Sequence, residues 1–150
     1  SSAKRNVGKF SQGDCLMPSV VTDTHALIWY VFDLERLSEA ALTAFEAAIN
    51  GGDPIYLSAI SIVEISYLVE RRRLVEEVLT RIFNALDDSN VGIELVSLDR
   101  NISALVRQID RATVPDMPDR IIAATAFSLN LPLVTRDRQI QALTTIETIW

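Results

Sequence analysis

The chain has 150 residues, 49% of them hydrophobic, with five Gly, five Pro and a net charge of −6, a composition that suits one packed globular domain and excludes disorder and collagen-like repeats. No apolar run approaches the ~20 residues needed to cross a bilayer and the first residues lack the apolar core of a signal peptide, so a soluble cytoplasmic protein is expected. One cysteine, Cys15, and one histidine, His25, exclude an internal disulfide and a structural zinc site, and leave oxygen as the ligand for any metal.

Charge is unevenly divided. Residues 1–16 carry +2, whereas residues 17–150 carry 11 Arg and no Lys against 19 acids, or −8. A phosphate-loop lysine and the lysine of a response-regulator receiver are therefore missing after Met17. An acidic protein that binds nucleic acid does so through a local patch or through bound cations. Residues 1–16 are polar and aperiodic. They are expected to form a disordered or appended N-terminal extension, followed by a single domain over residues 17–150.

In chain order, residues 19–22 read as a first strand ending at Asp23, and residues 24–32 as a short helix with Leu27, Ile28 and Val31 inward. Ser38 starts a second helix to about residue 49 with Leu42, Phe45 and Ile49 on one face, stopped by Asn50-Gly51-Gly52. A strand at 55–57 leads to a helix over 58–72, whose apolar face holds Ile62, Ile65, Leu68 and Val69 with Glu64 beside it. A helix at 74–86, a strand at 93–96 and a helix at 99–109 follow.

Residues 115–137, PDMPDRIIAATAFSLNLPLVTRD, are the most informative run. Asp116 is placed to cap a helix that includes Pro118 and Asp119 early and buries Ile121, Ile122, Thr125 and Leu129. Asn130 and Pro132 stop it, and residues 131–135 make a short buried strand leading to Asp137. A short helix and an edge strand within residues 146–150 complete the chain. Strands alternating with helices predict an α/β/α three-layer sandwich around a mostly parallel sheet.

In such a sheet the C-terminal ends of strands and the N-termini of crossover helices share an edge, where ligands bind. Asp23 and Asp137 reach that edge from strands, and Asp119 and Glu64 from near helix starts. Each acid alone has a plainer reading: Asp23 and Asp137 as helix caps, Asp119 as a first-turn residue behind an Asp116 cap, Glu64 as the partner of Ser61 in a capping box. Together, four acids in one crevice repel unless a cation joins them, and hard oxygen ligands point to Mg²⁺ or Mn²⁺.

Asp23 in VVTDTHALIW, Glu64 in LSAISIVEI, Asp119 in PDMPDRIIAATA and Asp137 in LPLVTRD resemble, in order and placement, the PIN-domain nucleases, with local wording nearest to VapC-type toxins of bacterial toxin–antitoxin pairs. The similarity spans residues 18–150. The resemblance implies a metal-dependent endoribonuclease that hydrolyses RNA phosphodiester bonds, with Asp23, Glu64, Asp119 and Asp137 as the catalytic, metal-holding acids and Mg²⁺ or Mn²⁺ as cofactor. It also implies a homodimer and a VapB-like antitoxin whose C-terminal segment covers the site. Asp116 lies one turn off the motif and is read as a cap or outer-shell group, and Thr135 as a hydrogen-bond partner of the acids or the substrate. Arg120, Arg136 and Arg138 adjoin site acids and offer RNA contacts, or else surface ion pairs.

Arg71, Arg72 and Arg73 are read first as a solvated cluster favouring a helix C-terminus, and second as an RNA or partner contact. His25 is read as a hydrogen-bonded helix-start residue before a general base. Trp29, Tyr30, Leu68 and Phe83 are read as core or helix contacts before RNA stackers. The other function class compatible with the residues is a non-catalytic PIN-like RNA- or protein-binding scaffold with a structural metal site.

Overall fold

The computed structural model describes residues 18–150; the expected N-terminal extension, with Cys15 and Met17, lies outside the described residues. Five strands form one sheet: β1 (Val20–Thr22), β2 (Ile55–Ser58), β3 (Ile93–Val96), β4 (Leu133–Val134) and β5 (Thr148–Ile149). Their order is β3-β2-β1-β4-β5, and every pairing is parallel. The helices are α1 (Thr24–Phe32), α2 (Glu39–Asn50), α3 (Ala59–Glu70), α4 (Glu76–Asp87), α5 (Arg100–Leu105), α6 (Met117–Leu129) and α7 (Arg138–Gln141).

Strands buried on both faces read as continuous apolar runs, and the pleat sends alternate residues to opposite layers. Val20, Ile55, Leu57, Ile93 and Val134 face one core, shared with Leu27 of α1, Phe45 of α2 and Ile82 of α4. Val21 and Leu133 face the other, with Ile102 of α5, Ile122 of α6 and Ile140 of α7. The expected three-layer sandwich is what forms. α3 packs against α1, α4 and α6, which ties the layers together beside the strand ends.

From β1 the chain builds outward through β2 and β3, then returns to the other side of β1 for β4 and β5. The sheet therefore switches direction between β1 and β4, the crevice where open α/β sheets bind ligands. The register keeps those two strand ends level, with Thr22 opposite Val134 and the Asp23 N–H donating to the Val134 carbonyl at 3.1 Å.

Several boundaries differ from those read in the sequence. Ser58 belongs to β2 and caps α3 rather than opening it, its Oγ accepting from the Ile60 N–H at 3.2 Å. The same helix stops at Glu70, and Arg72 takes a left-handed backbone, φ 59°. The expected helix over residues 99–109 gives way after Leu105 to a 3₁₀ turn, Val106–Gln108, and a second 3₁₀ turn, Leu34–Arg36, follows α1. Asn130 ends α6 in the left-handed conformation at φ 55°, the local freedom that made it a credible stop.

Candidate active site

A crevice of about 450 Å³ opens at the switch point and is lined by Asp23, Glu64, Asp116, Asp119 and Asp137, with Thr24, His25, Trp29 and Arg136 among its other walls. The four acids read from the sequence thus share one cleft, and Asp116 joins them.

Asp23 is the most firmly held. It caps α1, with Oδ1 accepting from the Ala26 N–H at 2.8 Å, while Oδ2 accepts from the Thr135 hydroxyl at 2.5 Å. Thr135 is fully buried, and its Oγ1 in turn accepts from the Asp137 N–H at 3.0 Å. One hydroxyl therefore fixes the ends of β1 and β4 to each other. Burial raises the Asp23 pKa, and the bonds from Thr135 and Ala26 act against that rise.

Glu64 lies on the second turn of α3. Its Oε1 accepts from the buried Thr24 hydroxyl at 2.5 Å, and Thr24 Oγ1 is also 2.8 Å from Ser61 Oγ. The capping-box reading with Ser61 is replaced by this link between α1 and α3. Burial raises the Glu64 pKa, opposed by the Thr24 bond. Asp137 caps α7 with Oδ1, accepting from the N–H groups of Gln139 at 2.8 Å and Ile140 at 3.1 Å. One oxygen each of Glu64 and Asp137 is thus engaged, and the other is free among the described residues.

Asp116 and Asp119 begin α6. Asp116 occupies the cap position, but its side chain makes no capping bond. Its carboxylate instead joins those of Glu64 and Asp119, with one oxygen from each lying within 4.8 Å of the others. Asp119 is pushed up to about 7, first by burial and then by the charges of Asp116, Asp137, Glu64 and Asp23. Burial and the gathered negative charge both disfavour the ionised form here, a cost that a cation would relieve. The donor set is all carboxylate oxygen, partly buried and without sulfur or imidazole in the triad, which fits Mg²⁺ or Mn²⁺.

The basic residues separate. Arg136 lines the crevice, whereas Arg120 and Arg138 do not. Arg120 is half-buried, and its Nε is buried without a partner. Arg71, Arg72 and Arg73 are exposed at the end of α3, with Arg71 stacked on Tyr67. Tyr30 packs against Phe45 in the core, and Phe83 is 44% exposed. Thr24 was missed by sequence reasoning, and Trp29, read first as a core or helix contact, lines the crevice. A Thr following a strand-end Asp carries the only local signal for Thr24.

The parallel sheet thus gathers five carboxylates in one crevice at its switch point, a cluster able to hold a cation. A model of the PIN domain matches residues 20–145, and the chain belongs to the PIN-domain family. It is 29% identical over 126 residues to Ribonuclease VapC22 of Mycobacterium tuberculosis, covering 84% of this chain and 92% of that protein. Its fold is similar to the crystal structure of VapBC2 from Rickettsia felis bound to a DNA fragment from their promoter, with TM-score 0.65, 15% identity, and coverage of 87% of this chain and 96% of that one. It is also similar to a toxin–antitoxin complex from Klebsiella pneumoniae, with TM-score 0.56, 24% identity, and coverage of 85% and 98%. Among the described residues no helix is long and apolar enough to cross a membrane.

Proposed function

We propose that the chain is a Mg²⁺- or Mn²⁺-dependent endoribonuclease of the cytoplasm, hydrolysing RNA phosphodiester bonds as the toxin of a toxin–antitoxin pair. The observation that carries this is the triad of Glu64, Asp116 and Asp119, whose carboxylate oxygens lie within 4.8 Å of one another in a crevice also lined by Asp23 and Asp137. The likeness to a ribonuclease supports the choice of substrate.

Glu64, Asp116 and Asp119 would hold the cation, with Asp23 and Asp137 beside them. A divalent cation there supplies charge neutralisation for the phosphate and acidity for a water molecule. The chain's own residues supply positioning. Thr24 holds one oxygen of Glu64 and leaves the other without a partner among the described residues, and Thr135 keeps Asp23 at the end of β1. Asp137 spends one oxygen on α7 and keeps the other for the site. No side-chain nucleophile is needed for hydrolysis by water.

Both an antitoxin and a second copy of the chain need apolar surface. Val63 and Tyr67, one turn apart on α3, are 59% and 53% exposed, and Val75 and Phe83 at α4 are 67% and 44% exposed. These support a dimer and an antitoxin partner of the VapB kind, consistent with the complexes that the fold resembles.

Purified protein, free of partner, is tested on total RNA with Mg²⁺, with Mn²⁺ and with chelator, beside Asp119→Asn. Discrete fragments that need both metal and Asp119 are the expected result. Cleavage that survives chelation or the substitution would overturn the assignment.

A further inference from the structure

The crevice is acidic except on one wall. Arg136 is the only Lys or Arg among the described residues lining it, and its guanidinium carbon lies 5.7 Å from the centre of the Trp29 ring. Trp29 itself lines the crevice, half-buried. Its ring is braced edge-on by Trp150 at 5.9 Å, and the exposed His25 ring sits one helical turn away at 5.9 Å. Arg36, from the 3₁₀ turn after α1, brings a second guanidinium to 6.0 Å from the same ring centre. An aromatic face bordered by cations, beside a carboxylate cluster whose bound cation would attract a phosphate, has the composition that binds single-stranded nucleic acid: bases stack on the ring and arginines meet the backbone.

We infer that Trp29 and Arg136 form a nucleobase subsite, in which the base next to the scissile phosphate stacks against Trp29 while Arg136 contacts the adjoining phosphate. This rests on the nuclease reading and makes Trp29 a substrate-binding residue rather than core filling alone. It also gives the substrate a way past the repulsion of five carboxylates. Because every base has a π-face, the subsite sets affinity and registers the strand without demanding one sequence.

The test uses the Asp119→Asn protein, so that substrate persists, with Trp150→Phe leaving Trp29 as the sole tryptophan of the two in the chain. A short single-stranded RNA and its abasic counterpart are titrated in Mg²⁺ while Trp29 fluorescence is followed. Quenching by the RNA, and weaker binding of the abasic strand, are expected. Trp29→Leu should weaken RNA binding roughly ten- to a hundredfold, erase the preference over the abasic strand, and in otherwise wild-type protein raise KM far more than it lowers kcat. Trp29→Phe should restore most of the binding. Arg136→Gln, at an exposed position, should weaken binding several-fold even if Trp29→Leu fails to fold. Unchanged Trp29 fluorescence at saturating RNA would overturn the inference, as would full retention of binding in both Trp29→Leu and Arg136→Gln with no abasic discrimination. Metal- and Asp119-dependent cleavage indifferent to Trp29 and Arg136 would remove the subsite and leave the nuclease; absence of RNA binding to the unsubstituted protein would remove both.

Discussion

The two sides of the crevice are built differently. On the β1 side, both oxygens of Asp23 are engaged, by the Ala26 N–H and the Thr135 hydroxyl. On the α6 side, Asp116 and Asp119 have no such partners among the described residues, and Asp119 is raised to about 7 by burial and neighbouring charge. Hydrogen bonds from the protein offset part of the cost of burying Asp23, and the other side has no such donors among the described residues. On the proposed reading that asymmetry separates scaffold from ligand: Asp23 organises the edge, and Glu64, Asp116 and Asp119 would hold a cation.

The largest effect is expected at Asp119. Asp119→Asn should lower the cleavage rate by about a thousandfold or more, since it removes a ligand where the transferring phosphate is neutralised. In metal-free protein at pH 8 the same change should raise stability by roughly 1 kcal/mol, a value discounted for a carboxyl that is partly solvated. Thermal melts would show a rise of a few degrees. A loss of activity accompanied by a fall in melting temperature would mean that Asp119 is structural.

Thr135→Val attacks the satisfied side. It strips Asp23 Oδ2 of its donor and the Asp137 N–H of its acceptor, so a stability loss of about 1–3 kcal/mol is expected by denaturant titration. Activity should fall with it. If the melt is unchanged, the hydroxyl does not hold the two strand ends together. Thr24→Val releases only one oxygen of Glu64, and metal affinity should drop about tenfold, as when the support of a ligand is removed. Calorimetry decides this, and equal affinity would show that Glu64 needs no help from α1.

The smallest effect is the pH dependence of the metal-free fold. Asp119 is raised above its unfolded value of 3.8, so the folded state holds a proton that the unfolded state has released. Its contribution to stability is complete below about pH 4 and is lost as the pH rises through about 7. Melts of chelated protein should fall modestly across that window, and the slope should flatten in Asp119→Asn. Metal binding displaces the same proton and should tighten as the pH rises toward 7.

The satisfied side of the site was more legible in the sequence than the charged side. Asp23 and Asp137 each end an apolar run and start a helix, a local pattern that declares both the cap and the sheet edge. Asp116 also looks like a cap, and its position agrees. Where its carboxylate goes depends on how α3 packs against α6, a contact across some fifty residues that no local signal encodes. The link from Thr24 to Glu64 is hidden for the same reason, since it spans 40 positions. Trp29 was ambiguous because an aromatic residue on an apolar helix is usually core. Only the placement of Arg136 and the open crevice show that one side of it is uncovered. Within the fold, strand runs and helix stops were readable, and the 3₁₀ ending after Leu105 was not, because the apolar spacing continues through it.

The most direct test of the central claim is a calorimetric titration of Mn²⁺ into the unsubstituted protein and into a Glu64→Gln, Asp116→Asn variant at pH 7.5. Saturable binding by the first and its loss in the folded variant are expected. Equal binding in both, or none in the unsubstituted protein, would contradict a cation site at Glu64, Asp116 and Asp119.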